Sequence, residues 1–463
     1  MLACCSLLAA SVLPARAAVT VDGRTLLVNG APYTIKGVCY DPIPVGYGVG
    51  PNSAHYPWES TPALYNGDFA LLKEMGVNTI RLYDAVNMSA GFLDAADAHG
   101  IKVIMGYHVE DSEVDPPDAA MLDGFVSMIR AWKNHPAVLM WMFGNEVIYP
   151  SSSSHADKVA WYSCLNTACA MAHAEDSSHP VGTAHQGIGD IGSVYADSTT
   201  LSGLDVWGIN VYDGPSFGNT FAVMAASTTK PYFFTEWGSD AYNGLVSAED
   251  ERMQSDCVAA QWGEIAANLA VNGKTCSGGT VFEWSDEWWK NWSDTGADDP
   301  KHDTIADWTN TDYSDPGMQE EWWGIVAITS GTTQRRLRLA YYALQDAWNP
   351  TVSSTTSAGA NPALIIQGPV HSYPNPFRAG ADAATIKITV NGTPEITAEI
   401  YELTGRKVCS LRDITVIGDE RVLRWRGADS EGDTVPAGLY ICKITAKSGG
   451  REETKFRKIA VIQ

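Results

Sequence analysis

Asn145-Glu146 closes the apolar run AVLMWMF, and Glu236 closes a second run, KPYFFTE. A carboxylate at the end of a buried strand is costly unless it is paired or used. Taken alone, Glu146 could be a solvated charge at a strand end. The pattern recurs, however. Tyr40-Asp41 ends the run YTIKGVCY, Arg81 and Tyr83 stand in VNTIRLYD, and His108 ends IKVIMGYH. Asn210 and Tyr212 end DVWGINVY, Trp237 follows Glu236, and Glu283 and Trp284 lie in GTVFEWSDE. Two acids delivered to one mouth by different strands suit cleavage of a glycosidic bond. One carboxyl must be protonated to help the leaving oxygen depart. The other must be ionised to attack the anomeric carbon, so their surroundings must push their pKa values apart. Asn145 can donate to a sugar hydroxyl, and Arg81 and Tyr212 can donate to the ionised carboxylate and hold it in place.

The elements that must position these groups are legible as eight nearly continuous apolar runs, as parallel strands covered on both faces require. Helical stretches such as DFALLKEMG, GFLDAADAHG and MLDGFVSMIRAWKNH separate most of them. That alternation predicts an α/β fold, a (β/α)₈ TIM barrel over residues 18–350, whose chemistry would sit at the C-terminal strand ends. A doubly wound open sheet is the alternative, but no Gly-rich phosphate loop follows the first strand. From residue 351 the run TVSSTTSAGANPA opens a linker, expected over 351–368. Residues 369–463 change to short β-type runs separated by turn residues, which predicts a small β-sandwich.

The chain has 463 residues and a net charge of −23. It offers no basic face for phosphates, so a nucleic-acid partner is not expected. The expected partner is an oligo- or polysaccharide, bound by a monomer. Residues 1–17 read as a secretory signal, which places the chain outside the cell, in the periplasm or at the cell surface. Of nine Cys, Cys164 with Cys169 and Cys257 with Cys276 are plausible disulfides in an oxidising compartment. No Cys/His spacing suggests zinc, no Gly-x-Ser-x-Gly elbow is present, and no cofactor is called for. The acid-rich stretch 292–317 reads as a solvated lid, with Ca²⁺ binding as the alternative. Trp292, Trp308, Trp322 and Trp323 could form a sugar platform or pack in the core. His55 and Trp58 could line the same cleft, and Glu283 could bind sugar or satisfy Arg81.

The stretches IKGVCYDP, GVNTIRLYDAV, MFGNEV, GINVY, PYFFTEWGS and GGTVFEWSDEWW together resemble the clan A glycoside hydrolases. Within that clan the chain is similar to the fungal β-1,3-glucanosyltransferases first and the β-galactosidase/β-glucuronidase family next. The resemblance implies a retaining glycoside hydrolase or transglycosidase acting on β-linked glucans, with β-1,3 linkages favoured. A β-galactosidase- or β-mannanase-like hydrolase and a non-catalytic sugar-binding protein are the alternatives. It implies Glu146 as acid/base, Glu236 as nucleophile, Asn145 on the 2-hydroxyl, Tyr212 and Arg81 orienting Glu236, and Tyr83 and Trp284 lining sugar subsites. Asp41 replaces an amide usual in the fungal enzymes, and Asn210 replaces the His of cellulase-type relatives, whose strand-three His His108 resembles. The stretches SYPNPFRAG, IYELTGRKV and WRGADSEGDTVPAGLYICKITA resemble FlgD-like and type IX secretion sorting domains with an immunoglobulin-like fold. That implies contact with secretion machinery or delivery to the cell surface. Carbohydrate binding through Trp425 is the rival role.

Overall fold

Eight parallel strands close into a barrel in the computed structural model of the chain. It describes residues 18–49, 54–290, 302–328, 335–349 and 365–462, apart from 374, 391, 403–404, 413, 418–419 and 449–450. The expected signal segment, most of the linker (351–364), and residues 292–301 with Trp292 lie outside the described residues. The barrel strands are β1 (Ile35–Cys39), β2 (Thr79–Arg81), β3 (Lys102–Tyr107), β4 (Val138–Asn145), β5 (Val181–Gln186), β6 (Val206–Asn210), β7 (Tyr232–Glu236) and β8 (Cys276–Val281). They pair in sequence order, and β8 closes the ring by pairing Gly278 with Ile35 of β1.

The described residues hold seven α-helices: α1 (Pro62–Met75), α2 (Ala90–Ala98), α3 (Ala119–Trp132), α4 (His155–Glu175), α5 (Thr220–Ser227), α6 (Glu251–Ala267) and α7 (Leu339–Trp348). Their starts are written in the sequence. Ser89 accepts from the Phe92 amide, Asp118 from Ala120 and Met121, and Asp250 from Met253. Ser154 and Asp157 form a reciprocal capping box. Each such cap satisfies a helix N–H that has no partner inside the helix. Between β5 and β6 the chain crosses without a helix.

The strands are apolar on both faces because both are covered. In β4 every residue up to Gly144 is buried. The outward Phe143 of β4 packs with Phe125 of α3 and Trp161 of α4 in one core, while Ile35, Ile104, Met140, Met142, Val206 and Phe233 form a second. A three-stranded sheet (Val19–Asp22, Thr25–Val28, Ala31–Pro32) adds Val19 and Leu26 to that second core. It meets the strands near their N-terminal ends, where the Val19 amide donates to Ser178. The opposite mouth is left for chemistry.

The chain divides into two compact units after Asn349. The second holds a four-stranded sheet (Ile366–Tyr373, Ala384–Val390, Glu420–Trp425, Ile414–Ile417) and a five-stranded sheet (Phe377–Arg378, Arg451–Ile462, Gly438–Ser448, Glu395–Glu402, Lys407–Leu411). Ile386, Ile388, Leu423, Ile400, Ile444 and Ile459 share its core. Trp425 is only 2% exposed and sits edge-on to Phe377 and Tyr440, so it offers no face for sugar stacking.

The disulfide expectation is corrected: Cys164, Cys169, Cys257 and Cys276 are all free and buried. Cys164 and Cys169 stand five residues apart on α4. The helical rise alone separates their Cα atoms by about 7.5 Å, too far for a bridge. Cys276 instead turns its sulfur to the backbone of Gly278.

Because each unit has its own apolar core, a chain ending at Asn349 is expected to fold and keep activity. Circular dichroism and turnover of the truncated form check this, and an insoluble or inactive product would show that the barrel depends on the second unit.

Candidate active site

Glu236 ends β7 with three donors aimed at its carboxylate. Oε1 accepts from Arg81 at 2.8 Å and from the Tyr83 hydroxyl at 2.9 Å, and Oε2 accepts from the Tyr212 hydroxyl at 2.8 Å. Burial by itself would raise its pKa. The Arg81 charge, then the hydrogen bonds from Arg81 and Tyr212, outweigh that and hold it below the ordinary 4.5. Arg81 is 2% exposed and spends its remaining donors on the Thr235 carbonyl and on Asn145 Oδ1 at 2.6 Å.

Glu146 reaches the same mouth by a strained route. Gly144 has φ +75° and Glu146 itself φ +50°. Gly is needed at 144, since a Cβ there would lie 2.7 Å from the Trp161 ring. A non-Gly residue in the left-handed region costs on the order of 1–3 kcal/mol and persists only where its surroundings hold it. Here the Glu146 amide donates to the Ala184 carbonyl and its Oε1 accepts from Asn210 Nδ2 at 2.9 Å. Burial, then the negative charge of Glu236, push the Glu146 carboxyl up to about 7.

Asn145 and Asn210 lock the two acids into one network. Asn145 Oδ1 accepts from Arg81 and from Asn210 Nδ2, and Asn210 Oδ1 accepts from Thr235. The amide of Asn145 is thereby oriented, because Arg81 can only donate.

A cavity of about 790 Å³ opens over these groups. Tyr83, Asn145, Glu146, Asn210, Tyr212 and Glu236 from the sequence-predicted set line it, with Arg81 directly behind Glu236. Of the proposed platform, Trp308 and Trp323 line it, their rings stacked at 6.1 Å. Trp322 instead donates to the Asp303 carbonyl and contacts Tyr242.

The structure places the other candidates outside the cavity lining. Trp237 and Trp284 are fully buried and face the helical shell, against Trp262 of α6 and Tyr341 of α7. Tyr40 is buried and donates to Asp68 of α1. Trp58 packs edge-on to Tyr40 and Phe92, and His55 lies 3.7 Å from Glu59. His108 is exposed and bonded to Glu110. Glu283 is 1% exposed, its pKa raised well above the ordinary value by burial and then by Glu287. Asp41 stands outside the cavity lining, its pKa raised by burial and then by Glu287 and Glu59. In both strand-end dipeptides Tyr40-Asp41 and Glu283-Trp284 the residues have passed the barrel rim into neighbouring loops and shell.

Sequence reasoning missed Lys290, Glu320, Asn310, Tyr149 and Gln186, which also line the cavity. Lys290 was the findable one, a lone cation in an acid-rich stretch beside the Trp pair 288–289.

Residues 61–273 match the family model for the TIM-barrel domain of glycosyl hydrolases family 2. The β-glucuronidase of Mus musculus is 28% identical over 238 residues, 49% of this chain and 34% of that protein. A 1,3-β-glucanosyltransferase of Schizosaccharomyces pombe is 23% identical over 276 residues, 55% of this chain and 51% of that protein. The chain thus spans a third to a half of these curated relatives. Among solved structures, a β-glucuronidase of Bacteroides uniformis bound covalently to cyclophellitol-6-carboxylate aziridine aligns with a TM-score of 0.56 at 17% identity, covering 96% of this chain and 48% of that one. That likeness is one of fold. Together the matches support a clan A glycoside hydrolase barrel.

Proposed function

We propose that the chain is a retaining β-glycoside hydrolase of the β-galactosidase/β-glucuronidase type, acting by double displacement. The observation that carries this reading is the opposed environment of two carboxyls in one cavity: Glu236 held ionised by three donors, Glu146 pushed up to about 7. Glu236 attacks the anomeric carbon while Glu146 protonates the departing oxygen. Glu146, now ionised, then takes a proton from the water that releases the sugar. Arg81, Tyr83 and Tyr212 keep the nucleophile charged and aimed. Asn145, its oxygen already engaged, has its amide hydrogens for a substrate hydroxyl.

The expectation of β-1,3-glucan gives way to its alternative. The family model and the mammalian β-glucuronidases favour the β-galactosidase-like reading, and the glucanosyltransferase alone speaks for glucan. Export, and surface delivery through the second unit, belong to this proposal too.

The test is proton NMR of an aryl β-glycoside digest, in which the first-formed sugar should be the β anomer. An α anomer first would indicate inversion and remove the covalent step. The pH profile follows from the same two groups. Glycosylation needs Glu146 protonated and Glu236 ionised. kcat/KM should therefore fall as pH rises through about 7, and on the acid side fall only below the ordinary carboxylate value of 4.5. The Glu146→Gln variant should lose the basic limb.

A further inference from the structure

Resting on the glycosidase reading, we propose that this site takes neutral sugars and rejects uronides, because its one cavity-lining ammonium is already held by two carboxylates. Among the described residues, the lining carries four carboxyl groups, Glu146, Asp213, Glu236 and Glu320, and one ammonium, Lys290. Lys290 Nζ lies 2.7 Å from Glu287 Oε2 and 3.2 Å from Glu320 Oε2. It also stands over the Phe282 ring at 4.5 Å, which covers one of its faces. Glu320 is fixed in turn: its Oε1 accepts from the Trp308 indole at 2.6 Å, and its amide donates to Asp307. The second cation nearby, Arg81, is committed to Glu236 and Asn145.

A sugar carboxylate entering this cavity meets negative charge with no uncommitted cation among the described lining residues to receive it. To reach Lys290 it would have to displace Glu320, whose own charge would then lack its partner. A hydroxymethyl group makes no such demand. It can accept from the ammonium or donate to Glu320 while Trp308, backed by the buried Trp323, offers a flat apolar face. Specificity here comes from the repulsive element as much as from any attraction.

The experiment compares kcat/KM of the full chain on 4-nitrophenyl β-D-glucoside, β-D-galactoside, β-D-mannoside and β-D-glucuronide. The best neutral substrate should exceed the glucuronide by about 100-fold or more. Glu320→Gln should raise the glucuronide-to-neutral ratio about tenfold, and Lys290→Met should not lower glucuronide turnover selectively. A wild type that prefers the glucuronide, or a ratio unmoved by Glu320→Gln in a variant with wild-type circular dichroism, overturns the inference. Should that variant not fold, inhibition of the wild type by free glucuronate against free glucose and galactose decides: tighter binding of glucuronate overturns it. Turnover of the glucuronide alone leaves the glycosidase reading standing. Turnover of none of the four substrates, with no covalent labelling of Glu236 by 2-deoxy-2-fluoroglycosyl fluorides, overturns the glycosidase reading itself and this inference with it.

Discussion

Glu236→Ala should lower kcat by at least about four orders of magnitude, and azide should restore turnover with the anomeric configuration inverted. Without the carboxylate no glycosyl-enzyme forms. The space it leaves on that face of the sugar admits a small anion, which attacks once and yields the α-glycosyl azide. Four orders of magnitude correspond to about 5.4 kcal/mol of barrier at 1.36 kcal/mol per tenfold. Loss of one charge-assisted hydrogen bond, worth about 1.5–3 kcal/mol, could not produce it. The variant has a second expected signature. Arg81, Tyr83 and Tyr212 lose their common acceptor, and Arg81 is left buried with an unpaired charge. Removing one member of a buried pair costs about 3–5 kcal/mol, so the melting temperature should fall unless azide occupies the vacated space. Glu236→Gln keeps an oxygen acceptor and should be just as inactive with a smaller drop in stability. Azide products of unchanged configuration, or residual activity near wild type, would take Glu236 out of the nucleophile's role.

How far this site could be read from sequence depended on which way a strand end turned. At β4 and β7 simple alternation would turn Asn145 and Glu236 outward with Phe143 and Phe234. A register shift between Met142 and Asn145 and another between Phe234 and Glu236 turn them into the mouth, so what pointed to them was only a polar residue at the end of an apolar run. The same logic applied to Glu283-Trp284 fails because β8 ends at Val281, two residues earlier. Beyond that point the chain follows hydrogen bonds to Cys39, Trp323 and Ile325, and alternation no longer says which side chain faces the cavity. Tyr40 shows the same limit one residue past β1. His108 fails differently: it lies where expected, beyond β3, but its loop leaves it in solvent beside Glu110. Trp308 stands in a two-residue strand paired with Gly317–Met318, Glu320 follows that pair, and Lys290 comes from a separate loop, segments too short to leave a periodic signal in the chain. The parallel barrel was legible because its strands, buried on both faces, read as nearly continuous apolar runs with few polar residues inside them, such as Thr183, His185 and Thr280. The left-handed turn at Glu146 was not, since nothing in the letters MFGNEV beyond Gly144 marks a backbone that a Glu must also enter.

Glu146→Ala should separate the two halves of the reaction. With an ordinary alkyl glycoside the variant should lose about 10²–10⁴-fold in kcat/KM, the usual contribution of a positioned acid. With 2,4-dinitrophenyl as leaving group, which needs no proton, the first step should run at close to the wild-type rate, and the glycosyl-enzyme on Glu236 should accumulate. A burst of dinitrophenolate equal to one per enzyme, followed by slow turnover, is the expected trace. Azide needs no general base, so it should accelerate the slow phase and give the β-glycosyl azide, configuration retained. The charge environment also changes in a defined direction. Glu236 feels the Glu146 carboxyl as a neighbouring acid, and Asn210 loses the acceptor at 2.9 Å that held its amide. The pH dependence of kcat/KM on the activated substrate should then lose its fall near pH 7 and keep only the limb set by Glu236. Mass spectrometry of the accumulated intermediate locates the sugar. A burst with the sugar on Glu236 and retained azide product assigns acid/base duty to Glu146. A burst-free variant that azide rescues with inversion would exchange the two roles, and an undiminished rate on alkyl glycosides would remove Glu146 from the mechanism.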